Sequence, residues 1–182
     1  MRRLLLSVFE RALAAVNGRT RVGDVLRAMR YTGPCEVVAI GKAASAMTLG
    51  VLDVLDDRVE RALVISRDDH FDVALLNWPL VKCLAAGHPI PDERTLQAGL
   101  ELREFLRTLP QAHALLFLIS GGASSLVEAL PAGISLNDLI RVNQWALASG
   151  RDIRGINAIR RRMSLLKNGG LLSELSGREA LA

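Results

Sequence analysis

The chain has 182 residues, half of them apolar and 4% aromatic, with a formal charge of +4. That length holds one domain with a proper core, which aliphatic side chains and alanine must fill, and such a composition argues against a disordered or fibrous chain. The mild positive charge suits small anionic ligands and gives little support to nucleic-acid binding.

The start, MRRLLLSVFERALAAV, imitates a signal peptide, but Glu10 and Arg11 interrupt the apolar run. Leu5, Val8, Ala12, Leu13 and Val16 fit one face of an amphipathic helix, with a transit peptide as the alternative. Asn17-Gly18 reads as the stop of that helix, and a second helix is expected over 22–30, before Gly33-Pro34. EVVAI, 36–40, reads as a buried strand broken by Gly41, and a helix follows over 42–55. RALVIS, 61–66, is a second strand. A looser segment with Trp78-Pro79 leads to a third strand over 80–85, closed by GHPIPDE, in which Asp92 caps a helix reaching about residue 109. LLFLI, 115–119, is the fourth strand and runs into SGGASS. Ser135 caps a helix to about residue 148, and another is expected over 152–166, broken by KNGG.

Short apolar strands without polar alternation, separated by helices, predict an α/β fold: a parallel Rossmann-like sheet with helices on both faces. No stretch is long enough to span a membrane. No repeat, linker or second domain is visible. Cys35 and Cys83 form no close pair, which argues against a disulfide framework or a Cys-rich zinc site and fits a reducing cytoplasm.

Ligands of such sheets bind at the carboxyl ends of strands. Two loops stand there, Gly41-Lys42-Ala43 and Ser120 to Ser125. In the second, Gly121 and Gly122 can turn the backbone so that N–H groups face an anion, and the hydroxyls of Ser120, Ser124 and Ser125 add donors and acceptors. The alternative is a tight strand-to-helix turn without a ligand. No Gly-Lys-Ser/Thr follows, so it is not a P-loop, and the Gly-x-Ser-x-Gly spacing of a serine nucleophile is missing. Lys42 is expected at a helix start, where the dipole disfavours a cation; a bound anion removes that conflict, and a solvated lysine is the other reading.

His88 reads as a loop residue that holds its turn, and no histidine has metal-like spacing, so no metal ligand is assigned. The basic segment 151–167 carries five arginines and one lysine against one acid. On a helix, Ile156, Ile159, Met163 and Leu166 make an apolar stripe, and Asn157, Arg160, Ser164 and Lys167 make a polar stripe beside it. That set can grip a carboxylate or phosphate, or can be a solvated face. Aromatic residues for base stacking are missing.

VVAIGKAASAM, GHPIPDE, LISGGASSLVEALPAGISLNDLI and ASGRDIRGINAIRRRMSLLKNGG, in this order, resemble the glycerate 2-kinases, the two-domain type with a C-terminal MOFRL domain. The resemblance runs from about residue 36 to the end and covers the N-terminal domain only. It implies a cytoplasmic enzyme that uses ATP and Mg2+ to phosphorylate D-glycerate to 2-phosphoglycerate. It places catalytic roles on Lys42 and Arg160, and substrate or phosphate binding on Ser120, Gly121, Gly122, Ser124, Ser125, Asn157 and Lys167. Ala123 stands where the family often has a third glycine, and KNGG replaces KGG.

The resemblance also implies that the MOFRL domain is missing, so a shortened chain is expected to keep the fold and to lack part of the cleft. Activity then depends on self-association or on a partner supplying the missing domain. A non-catalytic anion-binding or oligomerisation module is the alternative. A hydroxypyruvate reductase, a label some family members carry, is weaker, because no Gly-x-Gly-x-x-Gly follows a first strand.

Overall fold

A computed structural model of the protein describes residues 1–150, 152–175 and 180–182. Helix α1 (Arg2–Ala15) and helix α2 (Gly18–Met29) come first. Asn17 starts the second helix as well as ending the first: its side chain accepts the Thr20 N–H at 3.2 Å, so α2 begins four residues earlier than apolar periodicity suggests. Strand β1 (Cys35–Ile40) is buried along its whole length, as a strand covered on both faces must be.

Helix α3 (Ala44–Leu55) follows, then strand β2 (Val59–Ser66), the one-turn helix α4 (Val73–Leu76) and strand β3 (Val81–Ala85). Helix α5 (Glu93–Arg107) opens with a capping box between Asp92 and Thr95. Strand β4 (Ala114–Ile119) leads into a single turn, α6 (Ala123–Leu126). Helix α7 (Leu136–Ala148) has its own capping box from Ser135 and Asp138. Helix α8 (Ile153–Arg162), the short helix α9 (Gly170–Glu174) and strand β5 (Ala180–Leu181) complete the described chain.

The five strands lie in the order β3-β2-β1-β4-β5, and every pairing is parallel. Alternate residues of β1 enter opposite cores. Val37 and Ala39 join Leu49, Leu52 and Leu55 of α3 and Leu26 of α2 on one face. Val38 and Ile40 join Ala98, Leu102 and Leu106 of α5 on the other. The spacing of that last set keeps it on one stripe of the helix, and each fully buried leucine is worth about 1.5–3 kcal/mol. The fold is therefore the α/β parallel sheet, helix-covered on both faces, that the strand composition predicts.

Two elements differ from the sequence expectation near the functional loops. Helix α3 starts at Ala44, so Lys42 lies in the turn before it. Helix α8 stops at Arg162 and not near residue 166. Ser164 redirects the chain: its hydroxyl accepts the N–H groups of Leu166 and Lys167 at 3.2 and 3.1 Å, a local bond that competes with continued helix. Ser164 and Lys167 thus leave the helical stripe on which Asn157 and Arg160 remain. Arg151, the first residue of the basic segment, lies outside the described residues.

At the amino ends of the strands, Glu36 is a buried acid. It accepts from Arg61 Nε at 2.8 Å and pairs with His113 Nδ1 at 3.2 Å. Arg61 also lies over the Phe105 ring, 4.6 Å from its centre. This group is at the opposite end of the sheet from the loops described next.

Candidate functional site

The sheet order fixes where a ligand can enter. From β1 the chain moves outward through β2 to β3, then returns to the other side of β1 as β4. The loops after β1 and β4 therefore leave in opposite directions and flank a crevice, the usual ligand position in open parallel sheets. Gly41-Lys42-Ala43 and Ser120 to Ser125 are these two loops.

Backbone bonds lock them together. Ser120 N–H donates to the Ile40 carbonyl at 2.9 Å, and Lys42 N–H donates to the Gly121 carbonyl at 2.9 Å. The Ser120 hydroxyl accepts the Ala43 N–H at 3.0 Å and lies 3.4 Å from the Ile40 carbonyl. Ser66, at the end of β2, donates its hydroxyl to the Gly41 carbonyl at 2.8 Å. Gly41 adopts φ +126°, a conformation that side chains rarely take. The Ser120 hydroxyl is thus committed to holding the two loops in register. Ser125 is likewise turned inward, its hydroxyl donating to the Gly122 carbonyl at 3.0 Å.

The unused donors of this loop are backbone groups. The N–H groups of Gly121 and Gly122 donate to no acceptor among the described residues. Gly122 has φ +92°, and its missing side chain leaves room for two neighbours. A Cβ there would sit 3.0 Å from the His88 ring and 3.5 Å from Lys42 Cγ. The Lys42 side chain is exposed, and its carbonyl accepts the Nδ1–H of His70 at 3.0 Å. Two unpaired N–H groups close to a lysine side chain suit an anion. Helix α6 is one turn long, so it adds turn geometry and no long dipole.

A second set of cations meets the far side of the same loop. Arg160 donates Nη2 to the Ser124 carbonyl at 3.2 Å and to its hydroxyl at 3.3 Å. Lys167 pairs with Glu128, whose side chain is 2% exposed while that of Lys167 is 18% exposed. Glu128 is itself fixed to α5 through its N–H, which donates to the Thr95 carbonyl at 3.2 Å.

Burial lowers the pKa of the Arg160 guanidinium, and Glu128 opposes that effect. Burial also lowers Lys167, which Glu128 partly offsets and Arg160 reinforces. Arg160 Nε is buried without a hydrogen-bond partner among the described residues. Asn157 sits one turn before Arg160 and makes no side-chain bond among them. A small, mostly apolar cavity of about 140 Å³ opens beside Ser124 and Lys167.

The structure thus brings Lys42 to Ser120, Gly121 and Gly122, and brings Arg160 to Ser124 and towards Lys167. Glu128 was not singled out from sequence, and His88 was read only as a loop residue that holds its turn. Glu128 carried a signal, since a lone acid inside LVEAL must find a partner if the run is buried. His88 carried none for its contact, because its approach to Gly122 depends on how β3 and β4 are placed.

Among the described residues no group of three or more His, Cys, Asp or Glu converges as a metal cage. No helix among them is long and apolar enough to cross a membrane.

The model of one protein family, described as a domain of unknown function (DUF4147), matches residues 4–181. A D-glycerate 2-kinase of Thermotoga maritima is 29% identical, over 93% of this chain and 40% of its own length. A glycerate 2-kinase of Pyrococcus horikoshii is 34% identical, over 80% of this chain and 32% of its own. The crystal structure of a glycerate kinase from Thermotoga maritima superposes with a TM-score of 0.87 at 28% identity, covering 98% of this chain and 42% of that one. The chain therefore spans well under half the length of these relatives.

Proposed function

The chain belongs to the DUF4147 family and matches glycerate 2-kinases as their N-terminal domain, and from that premise we propose that it serves the ATP-dependent phosphorylation of D-glycerate to 2-phosphoglycerate by holding anionic groups at the β1–β4 crevice. The observation that carries this reading is the pair of unused N–H groups at Gly121 and Gly122, near Lys42, in a loop whose Ser124 accepts from Arg160. Phosphoryl transfer depends mainly on positioning and charge neutralisation, and both can come from such parts.

Nucleotide phosphates fit this donor set, which offers N–H groups and cations. ATP supplies the phosphoryl group when bound. Lys42, Gly121 and Gly122 hold one anionic group in this reading, and Arg160 with Asn157 holds another. Ser120 and Ser125 shape the turn. Lys167 is paired with Glu128 and adds a second cation on the Arg160 side of the loop. The reaction is expected to use Mg2+, but Glu128, the acid in contact with this set, is paired with Lys167, and no group of three acids or histidines converges among the described residues, so the residues do not fit a protein-held magnesium ion. No residue of this chain is assigned to it.

The test is 2-phosphoglycerate formation from ATP, magnesium and D-glycerate, with ligand binding measured beside it for the wild type, Lys42→Ala and Arg160→Ala. Turnover or binding that both variants lose supports the reading. Equal behaviour of all three, or a wild type that binds neither ligand, contradicts it.

A second reading, an association module, is favoured by one observation. Helix α1 buries none of its residues, and Leu5, Val8, Phe9 and Leu13 are exposed on it. Apolar faces of this kind commonly mark contacts with other chains.

A further inference from the structure

His88 lies in the loop between β3 and α5, with its ring over Gly122. Cδ2 and Nε2 are each 3.0 Å from the point where a Cβ on that glycine would be. Three basic side chains influence the ring: Lys42 from the turn after β1, and Arg67 and His70 from the segment after β2. The carboxylates nearby are engaged elsewhere. Asp69 pairs with Arg67 at 2.7 Å and reaches His70 at 3.8 Å. Asp92 accepts the Gly87 N–H at 3.1 Å and pairs with Arg94. The Nδ1 of His88 is buried and has no hydrogen-bond partner among the described residues.

A basic neighbourhood with no acid of its own disfavours the charged form of an imidazole. Burial lowers its pKa first, and Lys42, Arg67 and His70 lower it further, against a raising effect of its own backbone. An anion against Gly121 and Gly122 reverses the balance, because it supplies the negative charge that the ring lacks and does so at the ring's edge.

We propose that His88 is a proton-linked ligand of the anion site: when an anion settles against Gly121 and Gly122, the imidazole takes a proton from solvent and donates Nε2–H to the anion. This rests on the anion site under Proposed function. It adds a contact from the loop between β3 and α5 and a pH dependence of the kind an imidazole provides.

Sulfate is the probe, because it stays fully ionised near neutral pH. The three histidine rings of the wild type are titrated by proton NMR with and without sulfate, and assigned with His70→Gln and His113→Gln. The His88 midpoint is expected to rise by about one unit or more with sulfate. Sulfate affinity is then measured between about pH 6 and 8. The wild type is expected to lose up to about tenfold across that range, and His88→Gln to stay flat.

Sulfate binding with an unmoved His88 midpoint overturns the proposal and leaves the anion site standing. A pH dependence that persists in His88→Gln does the same. No sulfate binding by the wild type overturns the anion site as well. The ring titration uses the unmutated protein, so it decides the matter even if His88→Gln does not fold.

Discussion

Gly41 and Ser120 compete for one space from opposite sides of the β1–β4 crevice: a Cβ on Gly41 would lie 2.3 Å from the Ser120 hydroxyl and 2.6 Å from the Ser120 carbonyl. The two loops can exchange their hydrogen bonds only because residue 41 has no side chain. Gly41→Ala meets both this clash and the φ of +126°. It is expected to destabilise the fold by about 1–3 kcal/mol in urea unfolding and to remove anion binding. Ser120→Ala removes the hydroxyl that accepts from Ala43 and is expected to cost about 1–2 kcal/mol in the same measurement.

Buried Glu128 and half-buried Lys167 form an ion pair on the Arg160 side of the loop. Glu128→Ala leaves Lys167 without its partner and is expected to cost about 3–5 kcal/mol. Replacing both, as Glu128→Leu with Lys167→Met, is expected to restore most of that loss. Chemical denaturation of the two variants separates the cost of an unpaired charge from the worth of the pair.

His88 makes stability depend on pH in a defined direction. Its folded pKa lies below the ordinary histidine value of 6.5. As pH falls through 6.5, the unfolded chain takes up the proton first, so the folded state loses stability until pH reaches the lowered folded value. Above 6.5 the contribution is complete. Wild-type stability is expected to fall more steeply than that of His88→Gln on acidification below this point, measured by denaturant midpoints at a series of pH values.

Arg61 serves stability at the other end of the sheet. Arg61→Ala removes the bond to buried Glu36 and the contact with Phe105. A loss of about 2–3 kcal/mol is expected, with sulfate affinity unchanged. A matching loss of affinity would show that the crevice responds to general destabilisation.

Helix α1 gives the opposite pattern. Phe9→Glu changes a helix with no buried residue, so the unfolding midpoint is expected to stay within about 0.5 kcal/mol of wild type. If the apolar face mediates self-association, light scattering of this variant shows a smaller species than the wild type.

Much of this fold was legible in the sequence. Strand β4 is apolar throughout, β1 and β2 are apolar apart from the charges near their amino ends, and Asp92 and Ser135 are strong caps, so β1, β2, β4, α5 and α7 appear close to where their residues predict. The two glycine-containing loops were also visible, because parallel sheets place their sites at strand ends. The end of α8 was not. Ile156, Ile159, Met163 and Leu166 keep a helical period, but Ser164 turns the chain and Leu165 N–H donates to the Ala129 carbonyl at 2.8 Å. Local periodicity cannot report a tertiary bond of that kind.

The roles of the serines were also hidden. Ser120, Ser124 and Ser125 look alike as donors, yet Ser120 ties two loops, Ser125 bonds within its own turn, and Ser124 accepts from Arg160. Only the adjacency of β1 and β4 separates them. Glu128 was indicated by its apolar surroundings, but its partner, 39 residues later in sequence, was not.

The central claim is that the paired loops after β1 and β4 bind an anion through Lys42, Gly121 and Gly122 with help from Arg160. Thermal unfolding of the wild type, Lys42→Ala and Arg160→Ala, with and without saturating ATP, tests it most directly, since a ligand that binds the folded state raises the midpoint. A rise in the wild type that both variants lose, with their ligand-free midpoints little changed, is the predicted result. Equal rises in all three proteins would contradict the site.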